Sequence, residues 1–297
     1  MNDFLTRVAE LPVLGLGVST EYGAFDAPGG LDLFALRASH RRFASFLEVG
    51  LETSKGLDET AEAWARAQWP TTYHFLDINL EEPEDFDAAW LDEVRAFVNI
   101  LNPVWLCGDA GLWHFGRRER GHMLLLPPIL SDDAARRMAD GIVRLRDETG
   151  REVLPENPPG AAYVGDLHLL DFFARVCDYA DTGVLLDVAH LAIYQRTQGN
   201  AALDGLADFP LERVVEMHVA GGIERQHEGY AYVEDSHTPN VLAETWEMVE
   251  YLAPRASNLR AVVFECERNP LSEVLPGFER IEECLRDAPL LGAGALR

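Results

Sequence analysis

Eight short runs of apolar and β-branched residues recur along the chain. They are Val13–Ser19, Ser45–Leu51, Thr71–Leu80, Val104–Asp109, Glu152–Glu156, Gly183–Val188, Val214–Val219 and Ala261–Glu265. One of them, Gly183–Val188, is nearly continuous in small and apolar residues, which is how a strand buried on both faces reads. Between most of them the apolar spacing lengthens to that of a helix. Leu31–Phe43 carries Leu33, Phe34, Leu36 and Phe43, and Gly56–Gln68 is rich in Ala, Glu and Trp. Phe86–Ile100 sets Phe86, Trp90, Val94 and Phe97 three or four apart, on one helical face. Ser131–Thr149 opens on a good N-cap, Ser131, and closes at Gly150. Leu167–Tyr179 and Asn240–Leu252 are also amphipathic, and Leu275–Arg297 reads as a last helix and a loose tail.

Strand–helix alternation repeated eight times predicts an α/β fold, a closed (β/α)8 TIM barrel, for which about 250 residues is usual. The 297 residues form a single domain on this reading, with a core over 13–270 and a C-terminal helix and tail over 271–297. No linker, low-complexity tract or repeat divides the chain. A doubly wound open sheet is the rival. It would concentrate its chemistry at one switch point, whereas here polar residues end nearly every strand.

Those strand ends carry the candidate chemistry. In order they are Glu48 and Glu52, His74 and Asp77, Asp109 and His114, Glu156-Asn157, Asp187 and His190, His218, the loop residues Asp235 and His237, then Glu265 and Glu267. In a barrel all of these face one mouth, where such folds carry out their reactions. Taken singly each has a plain structural explanation. His74 reads as a hydrogen-bonded core residue, Glu156-Asn157 as a turn before two prolines, Asp187 as a helix N-cap, Glu265 as a partner for Arg268. Together, converging acids would repel one another. No Lys ends these runs and few Arg are near, so bound metal is the cheapest way to satisfy the cluster. Mixed imidazole, carboxylate and amide donors suit Fe, Mn or Zn better than Mg or Ca.

Composition narrows the partners. Lys+Arg number 25 against 50 Asp+Glu, a net charge of -25, so a nucleic-acid backbone or anionic membrane would be repelled. No stretch approaches the ~20 apolar residues of a spanning helix, and MNDFLTRVAELPVLGLG does not read as a signal peptide. The four cysteines, Cys107, Cys177, Cys266 and Cys284, form no CxxC pair, which predicts reduced thiols and a cytoplasmic setting. There is no GxSxG elbow, P-loop or HExxH, and Gly15-Leu-Gly17 lacks the third glycine of a dinucleotide loop.

Five short motifs then point one way: LPENPPG, LLDVAHL, VVEMHVAGG, EDSHTP and FECE, in this order between Leu14 and Pro270. On them the chain resembles the DUF692 family, the multinuclear non-haem iron-dependent oxidative enzymes. The resemblance implies two or three iron ions at a barrel mouth. It also implies oxidation by O2 of a cysteine or other residue in a ribosomally made peptide, or of a related small substrate, with a partner protein presenting the peptide in many members. At matched positions it implies His74, Glu156, Asn157, Asp187, His218, Asp235, His237 and Glu265 as ligands. Three departures stand out. Gly108-Asp109-Ala110 replaces the usual Ser-Asp/Glu-His, His190 replaces an Asn and reads as a compensating ligand, and Glu265-Cys266-Glu267 replaces Glu-x-Asp. His114 is a second candidate to stand in for the missing imidazole. Asp109, His190 and Glu267 are the candidate catalytic groups. The rival enzyme is a xylose-isomerase-like sugar isomerase or epimerase working by proton abstraction or hydride shift. It needs Glu156, Asp187, His218 and Glu265 but not His74, His190, Asp235 and His237. A barrel that has lost catalysis and serves as a scaffold is the third reading, motivated by Ala110. Gln195–Ala201 and Ile223–Tyr232 are candidate lid or peptide-binding loops.

Overall fold

The structure is a computed structural model that describes residues 3–20, 29–115 and 124–289. Eight parallel strands close into a barrel: β1 (Gly15–Thr20), β2 (Phe46–Leu51), β3 (Thr71–Phe75), β4 (Trp105–Asp109), β6 (Glu152–Glu156), β8 (Val184–Asp187), β9 (Val214–Ala220) and β12 (Ala261–Glu265). Going round the barrel their order is β1-β12-β9-β8-β6-β4-β3-β2. Two short strands, β5 (Ile129–Leu130) and β7 (Val164–Gly165), pair beside the mouth. All eight barrel strands fall on the apolar runs of the sequence, most within one or two residues at either end, and two differ in a way that matters. Thr71–Leu80 leaves the sheet at Phe75, and Val188 belongs to the helix that follows rather than to β8.

The helices α2 (Leu33–Ser39), α3 (Glu59–Arg66), α4 (Ala88–Leu101), α5 (Asp132–Thr149), α6 (Leu169–Ala180), α7 (Val188–Gln198), α8 (Ala243–Leu252) and α9 (Leu271–Cys284) follow the barrel strands. Their starts obey capping chemistry. Asp32, Asp58, Asp87 and Ser131 each accept from a backbone N–H of the first turn, and α5 ends on Gly150 in the left-handed conformation. Gln195–Ala201 is in part helix, since α7 runs to Gln198. Ile223–Tyr232 lies not in a plain loop but in an antiparallel hairpin, β10 (Gly222–His227) and β11 (Tyr230–Asp235). Its two-residue turn, Glu228-Gly229, has positive φ at both positions, the turn that matches strand twist. The C-terminal tail expected after α9 falls on residues 290–297, outside those described.

Two apolar layers hold the fold together. One lies between strands and helices. The other fills the barrel, with Phe46, Trp105, Leu154, Leu185, Val215, Ala261 and Val263. The helix α1 (Phe4–Glu10), not foreseen from the sequence, closes the barrel from below by burying Phe4 and Val8 one turn apart. Side chains alternate along each strand. The last inward positions are polar: Glu48, His74, Asp109, Glu156, Asp187, His218 and Glu265, all buried. A register shift between β8 and β9 places an extra residue in β9, as a bulge does where a strand is re-aimed.

Gly17 shows how tight the inner layer is. A Cβ there would stand 2.4 Å from the Phe46 ring. Gly17→Ala should lower stability by about 1–3 kcal/mol through overpacking, read as a lower denaturant midpoint. Phe46→Leu in the same chain should recover part of the loss. A Gly17→Ala protein that unfolds like its parent would remove this account of the inner core.

Candidate metal centre

The strand ends meet. His74, Asp109 and Glu156 offer ligand atoms within 4.8 Å of one another, and so do Glu156, Asp187 and His190, and Asp187, His218 and Glu265. The three groups overlap, since Glu156 belongs to two and Asp187 to two. At the centre stands Nδ1 of His218, 3.3 Å from Oε1 of Glu156, 3.3 Å from Oε1 of Glu265 and 3.9 Å from Oδ2 of Asp187. On one side Nε2 of His74 is 2.7 Å from Oε2 of Glu156. On the other, Nε2 of His190 lies 3.7 Å from Asp187 and 3.3 Å from Asp235, and Nδ1 lies 3.8 Å from Oδ1 of Asp109. Asp235 and His237 come from the foot of the hairpin, with Nε2 of His237 3.2 Å from Asp235 and 3.7 Å from Glu265. A cavity of about 180 Å³ opens onto Glu48, His74, Asp109, Glu156, His190, Asp235, His237 and Glu265, with Leu76, Trp113, Leu125 and Pro159 as its apolar wall.

Neighbouring side chains hold these donors in place. Asp187 caps α7, its Oδ1 accepting from His190 N–H at 2.6 Å, which leaves Oδ2 to face the centre. Asn157 spends its amide on the backbone of Asp187, accepting from its N–H at 2.9 Å and donating to its carbonyl at 2.8 Å. His190 Nδ1 is 2.9 Å from the Asn157 carbonyl, a contact that puts the proton on Nδ1 and frees Nε2. Glu267 lies behind His237, 2.7 Å from its Nδ1.

Among the described residues the charges are not balanced by fixed cations. Among the described residues, the ion-pair partners of Asp109, Glu156, Asp187, Asp235 and Glu265 are all histidines. Several donor atoms are buried without a hydrogen bond: Oδ1 of Asp109, Oε1 of Glu156, Oδ2 of Asp187, Oδ1 of Asp235, Oε2 of Glu265 and Nδ1 of His218. Leaving such atoms unpaired costs several kcal/mol each unless something binds them. Without a metal, protons take that role. Burial opposes a charge on His74, but Glu48, Glu156 and Asp109 push its imidazole up to about 9. Burial, reinforced by Glu156, pushes Asp109 up to about 8. Burial also drives Asp187 well above the ordinary carboxylate range, with His190 opposing it. The residues present therefore fit metal ions. They are carboxylates and imidazoles with unused lone pairs, supported from behind, at the open end of a barrel.

Residues 33–286 match the family described as RiPP precursor modification enzyme MbnB/TglH/ChrH, RiPP denoting a ribosomally made, later modified peptide. The chain belongs to that family. Within reach of this MbnB/TglH/ChrH member, a UPF0276 protein of Bordetella bronchiseptica is 28% identical over 289 residues, 94% of either chain. One of Rhizobium meliloti is 26% identical over 222 residues, 73% of this chain and 71% of the other. Among solved structures, a xylose isomerase domain protein from Planctomyces limnophilus aligns with a TM-score of 0.58 at 14% identity, covering 93% of this chain and 99% of that one. A xylose isomerase-like TIM barrel protein from Mycobacterium smegmatis, in complex with magnesium, also gives 0.58, at 10% identity, covering 97% and 100%. At such identity the likeness is one of fold.

This MbnB/TglH/ChrH family member does not use every polar strand end in its centre. Glu52 is paired with Lys55 at 2.8 Å, so a lysine does serve one of these acids. Asp77 accepts from Thr53 and from the Trp90 indole. His114 lies 2.7 Å from Asp85, so it does not replace the imidazole absent at Ala110. Two further acids stand beside the centre: Glu48, a candidate strand end that was not among the expected ligands, and Glu216, which was not foreseen. Glu48 lies 3.1 Å from Nε2 of His218, and Glu216 forms a further group with Glu48 and His218. Their signal was period two: Glu216 stands two residues before His218 on one strand face. Among the described residues no helix is long and apolar enough to cross a membrane.

The protons of the metal-free site set its pH dependence. A histidine raised from 6.5 to about 9 stabilises the fold fully below 6.5 and ceases to do so as pH rises through 9. The metal-free protein should thus lose melting temperature across that interval. Bound divalent metal replaces the protons, so its increment in melting temperature should widen with pH. An increment that stays constant would show that metal and protons do not compete here.

Proposed function

We propose that this chain is a multinuclear non-haem iron-dependent oxidase that uses O2 to modify a cysteine, or another residue, of a ribosomally made precursor peptide. One observation carries the reading beyond the family: the donor groups overlap, so that Glu156 and Asp187 each face two of them. A carboxylate shared in this way suits adjacent cations. A metal-dependent sugar isomerase would use Glu156, Asp187, His218 and Glu265 and leave His74, His190, Asp235 and His237 without a task. Iron is preferred to Zn because oxidation requires a redox-active ion, and to Mn because the chain resembles iron-dependent enzymes.

His74, Asp109 and Glu156 would hold one ion, and Glu156, Asp187, His218 and Glu265 another. His190, Asp235 and His237 provide for a third. Bound iron would supply the one-electron steps between substrate and O2. The protein's own residues provide the rest. Leu76, Trp113, Leu125 and Pro159 wall one side of the cavity, which keeps water from the reacting group and receives an apolar part of the peptide. Asp109 lines the same cavity; in the metal-free site burial, reinforced by Glu156, keeps its carboxyl protonated to about 8, a proton that bound metal would displace. With one oxygen on the ion, its other oxygen would be placed to accept a proton from the substrate. His190 shares that acid set, whereas Glu267 acts through His237 by orienting its ring. A partner protein that presents the peptide would approach this same mouth.

The test is anaerobic reconstitution with Fe(II), followed by O2 and a cysteine-containing precursor peptide. Iron should bind at about two to three ions per chain, O2 should be consumed, and the peptide mass should change. Asp187→Asn and His218→Ala should each lose most of the iron and reduce turnover at least 100-fold. Protein that binds no iron and consumes no O2 with peptide would sink the proposal. Iron-free activity with Mn or Mg on a sugar would replace it by the isomerase.

A further inference from the structure

Below the metal centre lies a polar layer that the proposed reaction does not use. Glu48 is in the middle of β2, 1% exposed, and faces into the barrel at the cavity floor. Its outer oxygen, Oε2, is held from neighbouring strands, by the Thr72 hydroxyl at 3.4 Å and the Cys107 thiol at 3.1 Å. Its inner oxygen, Oε1, is thereby turned to Nε2 of His218, 3.1 Å away. The distance is that of a hydrogen bond, although the ring approaches it off axis.

His218 has acids on both sides. Three carboxylates, from β6, β8 and β12, lie within 3.3–3.9 Å of Nδ1, whereas Glu48 faces Nε2. A neutral imidazole has one N–H and one lone pair, so one nitrogen donates a hydrogen bond and the other is a ligand. Which is which follows from the neighbour that can accept the proton. On the Nε2 side stand Glu48, anchored at its other oxygen, and Glu216, anchored by the Trp105 indole. The trio around Nδ1 is the place where a cation is needed.

We propose that Glu48 is a positioning residue for the metal centre: it keeps the proton of His218 on Nε2, so that the lone pair of Nδ1 points at the ion shared with Glu156, Asp187 and Glu265. The inference rests on the metal reading above. An N–H held by a carboxylate also makes the opposite nitrogen a stronger donor. Glu48 therefore affects how tightly the ion is held and how readily it is oxidised, without touching it. Glu216 completes the layer, its Oε2 accepting from the Trp105 indole at 2.6 Å.

Three measurements test this on the full chain. In crystals of the Fe(II)-loaded protein, anomalous scattering should place an iron beside Nδ1 of His218. An iron beside Nε2, between Glu48 and Glu216, would overturn the proposal. In solution, Glu48→Leu should weaken Fe(II) binding 10- to 100-fold, and Glu48→Gln, whose carbonyl oxygen still accepts the proton, should recover most of that loss. The midpoint potential of Glu48→Gln should still move to a more positive value, because a neutral amide withdraws less charge from the N–H, a change that a purely structural role would not produce. Wild-type affinity and potential in a folded Glu48→Leu would overturn it. If that variant does not fold, an unchanged potential in Glu48→Gln does so. Wild-type protein that binds no metal defeats the reading of the whole centre rather than the role of Glu48.

Discussion

Carboxylates from β4, β6, β8 and β12 and from the foot of the hairpin end within a few ångströms of each other, most of them buried, and the rest of the molecule has to accommodate that crowding. Like charges at this separation repel, and burial raises the cost of each. The histidines reduce it only in part. An imidazole neutralises one acid when protonated, and Glu156 alone stands against both His74 and His218. The structure thus stores a demand for positive charge at one point. Protons can meet it at neutral pH, as the raised values of His74 and Asp109 indicate. Metal ions meet it better, because one divalent ion serves several oxygens at once.

The barrel is what makes such crowding reproducible. Parallel strands bring their C-terminal ends to one rim, and alternation allows each strand an apolar plug below and a polar group above. Trp105 and Asp109 are four residues apart on β4, one in the inner core and one in the cavity. Rigidity then comes from the second set of contacts. Asn157 is tied to the backbone on both sides of Asp187, Asp187 caps the helix that carries His190, and Glu267 holds His237. Moving any of these side chains disturbs its neighbour on the next strand, so the donors are held as a unit.

Much of this was legible in the chain because it is written in local patterns. Apolar runs marked all eight barrel strands, and the acid or imidazole at or near the end of every run but the first marked the rim. Local pattern could not tell one polar strand end from another. Glu52, Asp77 and His114 look in the sequence like Asp109 or His218, but their partners are Lys55, Thr53 with Trp90, and Asp85. Which partner an acid meets depends on how neighbouring strands and loops are staggered, information that no single segment holds. The hairpin escaped for a different reason. Its turn is Glu228-Gly229 rather than the Asn-Gly or Asp-Gly that usually signals one, and its strands are largely exposed, so no apolar alternation announces them. α1 is a single face of Phe4 and Val8, too short to show a period.

The position of His190 bears on the departures noted at Ala110 and after Asp187. Ala110 is fully buried, and its N–H donates to the carbonyl of Glu156 at 2.9 Å, so a longer side chain there would start beside the same glutamate. The imidazole that the family's usual tripeptide would carry at that position is absent. His190 reaches the same acids from the other direction, from the first turn of α7, with Nδ1 3.5 Å from Oε1 of Glu156 and 3.8 Å from Asp109. The charge balance of a buried acid cluster depends on how many imidazoles surround it, not on which element delivers them. An imidazole on α7 can therefore serve the same glutamate as one on β4 would, and His190 also meets Asp235 at the foot of the hairpin.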